Sequence, residues 1–572
     1  MFVTTLRNNF QALSMPKKTI MIVYFALCMF TTGFAGFTGE NILATFSSMT
    51  LGNSVEQFSK VFGLMMAMMG MAGFVQTKIK KEYLIPVFIG IELSLATFVG
   101  YGPTFLYAIF GSAPEHYLIA HYFIIGGTGF LIGFEIPIVM RILEEQGVEL
   151  KNNLQIVYAM DYIGACAGSW FFTEYLLQNY PLTQMGFLLS AINLSLAFFA
   201  VIYLIRQRMV KKPGVVLCLM LTAIVSQVYG YHNSVSWTKT LMQKFYDDRV
   251  LEMKQTKYQQ IILTENQKLN DNRVYLNGNL QFSSLDEGRY HDYLVHPVMA
   301  MNPNAEHILM LGGGDGLGLR ELLKYDRVKS VTLVDLDPEM VKFSSTNEIM
   351  RKLNEDSFHN AKVFIRDSNA VKGIGVEGIY LETGKVNADK TLETEWVASV
   401  DVVHIDADLF IGELHGKKWD TVIIDFPDPS TIELSKLYSR EFYVKLGWQL
   451  AEDAVISIQA TSPYHAKEAF LTIQRTMNSG GFKTIPYREN IPSFGEWGYF
   501  LAWKDGRTVD DIKRAMKQVQ EFEVETGYIT PELMVASTAF GRHELKSTKT
   551  CINSLMEPCI LDIYVKDSWQ QY

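Results

Sequence analysis

The sequence predicts two architectures in one chain: an α-helical membrane region of about seven spans, then a doubly wound α/β domain with a small N-terminal β element. Three observations carry this. Charge is sparse before Trp237 and dense after it. Apolar runs fill the first part at the length that crosses about 30 Å of hydrocarbon. From about residue 305, short β-rich runs alternate with helical ones, the pattern of a mainly parallel sheet covered on both faces. The expected division is 1–235 for the membrane region, 236–272 for a linker or helical connector, 273–504 for the α/β domain and 505–572 for a C-terminal extension.

The apolar runs lie at 19–37, 61–77, 84–101, 117–139, 155–178, 185–205 and 214–231. Lys17 and Lys18 before the first run resemble a signal peptide, but the six later runs predict a multi-pass protein of the cell (inner) membrane, in contact with the lipid bilayer. Basic residues gather in alternate loops: Arg7, Lys17 and Lys18; Lys78, Lys80 and Lys81; Arg141 and Lys151; Arg206, Arg208, Lys211 and Lys212. Positive charge stays inside, so the N-terminus is expected in the cytoplasm and, with an odd number of spans, the α/β domain outside it. Glu135 and Asp161 fall within apolar runs, where a carboxyl faces the bundle interior or a polar cavity. The alternative is that Glu135 stands near a span's end and Asp161 bonds a neighbouring helix. The small residues Gly164, Ala165, Ala167, Gly168 and Ser169 predict close helix packing.

The net charge of −9 comes without a long basic run, which argues against a nucleic-acid partner. Of the five cysteines, Cys28, Cys166 and Cys218 lie in apolar runs and are expected to pack as small hydrophobes. Cys551 and Cys559 stand eight positions apart in the extension, and no cysteine spacing suggests a metal.

In the α/β domain, "HILMLG", "SVTLVDLD", "TVIIDF" and "AVISIQA" read as buried strands. The first feeds the glycine turn "GGGDG", where Gly312, Gly314 and Gly316 let the backbone approach a ligand ahead of a helix N-terminus. Asp335 and Asp337 end the second strand, where an acid receives ribose hydroxyls. Asp315 inside the glycine turn would repel a pyrophosphate and suits a cationic sulfonium, which points to an S-adenosylmethionine-type nucleoside instead of NAD. In "DTVIIDFPDPS", Asp425 and Asp428 follow a strand at its C-terminal end, where doubly wound sheets bind ligands. Paired carboxylates there can hold a cationic amine, and one can take its proton during attack. On these residues alone an Asp-capped turn broken by Pro427 and Pro429 explains the stretch as well.

Taken in order, "YLNGNLQFSSLDEGRYHDYLVHPVM", "LGGGDGLGLRELLKY", "LVDLDPEMV", "DTVIIDFPDP", "LYSREFY", "IQATSPY" and "PSFGEWGYFLA" resemble the spermidine synthases. These are polyamine aminopropyltransferases with a Rossmann-like, methyltransferase-like domain, and the whole chain resembles their membrane-integrated branch. The resemblance implies transfer of an aminopropyl group from decarboxylated S-adenosylmethionine to a polyamine, releasing methylthioadenosine, without a metal. It implies that Gln281, Tyr290 and His291 contact the nucleoside and aminopropyl arm, that Gly312 and Gly314 line the nucleoside, that Asp315 holds the cationic arm and that Asp335 binds the ribose. Asp425 would be the general base, Asp428 the amine anchor and Gln459 a lining residue of the acceptor site. The adenine-contacting acid has two candidates, Asp367 in "VFIRDSNA" and Asp406, followed by Ala407, in "VVHIDADLF"; the distance to "WDTVIID" favours Asp406. Three departures stand out: Ile491 where the family has an acceptor-site tyrosine, with Phe494 added beside it; an insertion over 371–400; and the extension after about 505. Soluble members are dimers or tetramers, so a homo-oligomer is an expectation. A methyltransferase using S-adenosylmethionine, and a polyamine-binding transporter or sensor, are the competing functions. A Cys551–Cys559 disulfide would agree with export to an oxidising compartment.

Overall fold

The computed structural model describes residues 15–52, 54–145, 150–206, 213–360, 363–366, 379–386, 392–397, 399–413 and 418–567. The chain divides into two compact units, Met1–Thr264 and Glu265–Tyr572.

Among the described residues, the first unit has seven long helices: α1 Met15–Leu51, α2 Ser54–Val75, α3 Leu84–Ser112, α4 Tyr117–Glu145, α5 Leu150–Phe171, α6 Leu182–Arg206 and α7 Pro213–Met242. Among the described residues, six segments are long and apolar enough to cross a membrane: Ile22–Leu51, Ser54–Lys78, Lys81–Ser112, Pro114–Glu145, Leu182–Ile202 and Pro213–Phe245. The run expected at 155–178 is helical as α5 but is not one of the six, because Gln155, Asp161 and its small residues dilute its apolar content. Counting only six reverses the parity on which export of the second unit rests. Residues 236–272, expected as a linker or helical connector, hold the end of α7, strands β1 Arg249–Gln255 and β2 Gln260–Asn266, and the first residues of the next strand.

The small-residue face of α5 does what its composition predicts. A Cβ on Gly164 would overlap the carbonyl of Phe30, and one on Gly168 would overlap that of Phe34, so α1 and α5 touch backbone to backbone. Large apolar side chains on the helix surfaces, including Ile119, Phe123, Trp170, Leu219 and Leu221, are more than half exposed. Of the three cysteines, Cys28 packs as expected, whereas Cys166 and Cys218 face outward. Glu135 is not near a helix end, since α4 continues to Glu145. It is buried like Glu92 on α3, and the two carboxyl groups lie within hydrogen-bonding reach of each other.

The second unit begins with the hairpin β3 Asp271–Leu276 and β4 Asn279–Ser283. Its two-residue turn is Asn277–Gly278, both at positive φ (50° and 84°), the turn that matches the twist of paired strands. Helix α8, Glu287–Met301, follows. The main sheet comprises β5 His307–Gly312, β6 Ser330–Val334, β7 Val363–Arg366, β10 Ser399–Val403, β11 Trp419–Asp425, β12 Leu450–Gln459, β13 Lys483–Ile491 and β14 Gly495–Trp503. Its order is β13-β14-β12-β11-β5-β6-β10-β7, and only β14 runs against the others. A separate hairpin, β8 Ile379–Val386 with β9 Leu392–Val397, occupies the insertion.

Alternation along each strand divides two cores. Ile308, Met310, Val331, Leu333 and Ile423 point into one, and Leu309, Leu311, Val422 and Ile424 into the other. Short helices α9 Leu317–Leu322 and α10 Ala407–Gly412, and the longer α11 Lys467–Ser479, cover the sheet. The extension, read from sequence as a tail, is part of both cores. Ile512 and Met516 on α12 (Val509–Gln518), with Ile529 and Met534, enter the first core. Ile560 and Ile563 on α13 (Cys559–Asp567) enter the second. A disulfide joins Cys551 to Cys559 at the start of α13.

Candidate active site

Doubly wound sheets bind ligands where the chain switches sides, here between β5 and β11. Gly312 and Asp425 are partners in register at the C-terminal ends of these strands. Gly312 has φ +84°, and a Cβ there would overlap the carbonyl oxygen of Asp425. A Cβ on Gly314 would lie 2.6 Å from Asp335 Oδ2. Two glycines of the turn therefore serve close approaches within the protein, which bring the acids of three strand ends around one point.

At that point His291, Asp315 and Asp425 offer atoms within 4.8 Å of one another. Tyr290 donates its hydroxyl to Asp425 Oδ1 at 2.6 Å. Burial, reinforced by the charge of Asp315, pushes Asp425 up to about 6, although His291 and the Tyr290 hydrogen bond oppose the rise. Burial also raises Asp315, whose Oδ1 accepts the N–H of Leu317 at 2.9 Å. His291 answers differently. Burial disfavours its charged form, but the Glu287 hydrogen bond and the charges of Glu287, Asp315 and Asp425 outweigh it and push His291 up to about 9. Its Nδ1 lies 2.8 Å from the Glu287 carbonyl and 3.0 Å from Glu287 Oε2.

Asp335 ends β6 and accepts the N–H groups of Gly314 and Asp337, each at 2.9 Å. Burial pushes it up to about 7 against these two bonds. Each oxygen keeps a second lone pair for a hydroxyl donor. Strand β10, not β7, lies beside β6, so Asp406 and the buried Ala407 follow the strand next to Asp335. Asp406 Oδ1 caps α10 through Asp408 and Leu409, and Oδ2 accepts Lys436 Nζ at 2.6 Å. Asp367 lies outside the described residues. Gln281 is apart from the cluster in its hydrogen bonding: its Nε2 donates to the Asn279 carbonyl at 3.4 Å.

Asp428 accepts the hydroxyls of Thr461 (2.9 Å) and Tyr564 (2.7 Å) on Oδ2. Burial raises its carboxyl, and bonds from Tyr564, Thr461 and Gln459 hold the rise back. Gln459 is held by four hydrogen bonds. Its Nε2 donates to the Phe426 carbonyl and, at 2.9 Å, to Tyr438 Oη, while its Oε1 accepts from the Thr461 N–H at 3.0 Å and Trp497 Nε1 at 3.2 Å. It fixes the "DFPDP" turn in place. Ile491 is buried in the first core, and the Phe494 ring stands 6.1 Å from Tyr290 and 4.8 Å from Trp497.

Residues 287–372 and 396–514 match the model of the spermine/spermidine synthase domain. A polyamine aminopropyltransferase of Leptospira interrogans is 35% identical over 468 residues, covering 82% of this chain and 85% of that protein. The chain belongs to the polyamine aminopropyltransferase family. A second member, from Oceanobacillus iheyensis, is 31% identical and covers 94% of this aminopropyltransferase and 96% of its own length. Among solved structures, a spermidine synthase in complex with the transition state analogue AdoDATO aligns with 52% of this chain and 87% of that chain, at 23% identity and a TM-score of 0.39. The interval between the two matched segments contains β8 and most of β9.

Several residues of this aminopropyltransferase escaped the sequence reading. Arg320 on α9 grips Glu287 with two guanidinium nitrogens at 2.8 and 3.1 Å and bonds Glu321 at 2.8 Å. Glu287 and His291 one helical turn apart was a readable signal; Arg320 was not. Tyr564 had no signal, because 136 residues separate it from Asp428.

Proposed function

We propose that the second unit moves an aminopropyl group from decarboxylated S-adenosylmethionine to an amine nitrogen of a polyamine, releasing methylthioadenosine, while the first unit anchors it in the cell membrane. The observation that carries this is the cluster of Asp315, His291 and Asp425 at the switch point, a negative, recessed site beside the ribose acid Asp335. Asp315 balances the cationic arm of the donor, and Asp406 with Ala407 borders the adenine, supported by the position of β10 beside β6. Asp428 anchors the acceptor through an ammonium, which leaves the reacting nitrogen near Asp425. That nitrogen attacks the carbon bonded to the sulfonium, the carbon–sulfur bond breaks, its electrons go to sulfur, and Asp425 takes the proton. An alkylammonium near 10.4 and a carboxylate at about 6 are separated by roughly 6 kcal/mol of proton affinity. Enclosing the amine away from water lowers its pKa and narrows that gap.

The test uses the full chain in detergent with decarboxylated S-adenosylmethionine and a diamine. Methylthioadenosine and elongated amine are expected in equal amounts, and Asp425→Asn should lose about 10²-fold or more in kcat. No methylthioadenosine from the wild type, or equal turnover by Asp425→Asn, refutes the reading. A parallel arm with S-adenosylmethionine tests the methyltransferase alternative, which predicts a methylated amine.

For the side of the membrane, we count α5 as a seventh span because it packs along α1 through glycine contacts. That count, with the basic loops and the Cys551–Cys559 disulfide, favours the extracytoplasmic side. An activity reporter fused after Tyr572 that works only in the cytoplasm would overturn this.

A further inference from the structure

Beyond the strand-borne acids, one side chain reaches the amine anchor from far along the chain. Helix α13 has Ile560, Ile563 and Tyr564 on one face, at the i, i+3, i+4 spacing of a helix that packs by that face. Ile560 and Ile563 fix it in the second core. The disulfide ties its first residue back to Cys551. Asn553 between the two cysteines is fully buried, accepting from Arg440 N on its carbonyl at 2.9 Å and donating its Nδ2 to the Ser435 carbonyl at 2.8 Å. The segment that delivers Tyr564 is thus held by the disulfide, by the buried Asn553 and by the core face of α13. On the other side of Asp428, Thr461 is buried and adopts φ +59°, a left-handed conformation that a β-branched residue enters only when its surroundings demand it. The two hydroxyls converge on Oδ2. Asp428 Oδ1 is buried and accepts neither of these hydroxyls.

A buried carboxylate oxygen with lone pairs unused is costly unless something else bonds it. We propose that Tyr564 is a positioning residue of the amine subsite: by occupying Oδ2 of Asp428 together with Thr461, it presents Oδ1 to the incoming ammonium and so sets amine affinity and selectivity. The proposal rests on the aminopropyl-transfer reading above, and extends the amine site to the C-terminal extension. The phenol also stabilises the ionised form of Asp428, the form that an ammonium requires.

Tyr564→Phe keeps the ring and its packing and removes only the hydroxyl. In the full chain, the KM for a diamine should rise roughly tenfold, the effect of one hydrogen bond to a charged group. The KM for the nucleoside donor and the melting temperature should stay near wild type. The ratio of kcat/KM values across diamines of increasing methylene count should shift, and the acid limb of kcat/KM for the amine should move to higher pH. Reduction of the disulfide should raise the amine KM of the wild type and add little in Tyr564→Phe. An unchanged amine KM, or equal rises in the amine and donor KM with a lower melting temperature, overturns the proposal while wild-type turnover leaves the transfer reading standing. A wild type that produces no methylthioadenosine overturns both.

Discussion

Replacing Tyr290 by phenylalanine isolates one interaction in the candidate site. The hydroxyl donates to Asp425 Oδ1 at 2.6 Å, within the range for a hydroxyl bonded to a carboxylate. Such a bond favours the ionised acid, so its loss must raise the pKa of Asp425. Hydrogen bonds to charged groups contribute about 1.5–3 kcal/mol. Asp425 is recessed yet partly open to water, which would replace some of the lost bond, so the low end applies: about one pH unit. Asp425 stands at about 6 in the wild type, and a base works only when deprotonated, so activity is present above that value and fades as pH falls through it. In Tyr290→Phe the acid limb of kcat/KM should therefore sit near 7, with roughly a fivefold loss at pH 6 and little loss from this cause above about pH 8.5. The assay is methylthioadenosine release from pH 5 to 9 at subsaturating amine. An acid limb that stays where it is, or moves down, refutes the assignment of that limb to Asp425 under control of Tyr290.

Other consequences follow from the same geometry. His291 is raised to about 9 from its ordinary 6.5, so its contribution to stability is complete below about pH 6.5 and lost as pH rises through about 9; thermal melting should show a decline of order 3 kcal/mol across that window, and His291→Gln should flatten it. Arg320→Met leaves Glu287 buried without its guanidinium and should cost about 3–5 kcal/mol in denaturant unfolding, and pairing it with Glu287→Gln should recover part of the loss. Gly312→Ala forces a Cβ against the Asp425 carbonyl at a φ of +84° and should destabilise by roughly 3 kcal/mol or more; a melting temperature equal to wild type would show that β5 and β11 are not held so close.

What could be read from the sequence was whatever local chemistry dictates. The strands announced themselves through runs such as "HILMLG" and "TVIIDF", and the acids at their ends fell where such sheets bind ligands. Asp315, Asp335 and Asp425 were legible for that reason. Tyr290 was named from the family pattern, but its bond to Asp425 depends on how α8 leans across the sheet. The glycines of the turn were expected to face a ligand, and two of them also admit the Asp425 carbonyl and the Asp335 carboxylate. Gln459, expected as a lining residue, makes four hydrogen bonds that brace the turn, which its sequence position did not announce. Arg320 and Tyr564 were invisible because charge and aromaticity at a distance in sequence carry no address. The extension carried no sequence signal of a place in the core, yet Ile529, Met534, Ile560 and Ile563 all reach one.

The strand order near β6 has a consequence for how the chain assembles. The slot beside β6 is filled by β10, while β7, made earlier in the chain, waits at the sheet's edge with the β8–β9 hairpin between them. Both candidates for the slot carry the same signal, a short β-branched run ending in an acid: "VFIRD" and "VVHID". If β7 docked first, the sheet would close in a plausible parallel pairing, and β10 would be left outside with Asp406. A β7 that paired there first would have to give way to β10, a non-local exchange of the kind that slows parallel sheets. The ambiguity between Asp367 and Asp406 that a reader meets in the sequence is one the nascent protein has to resolve in time.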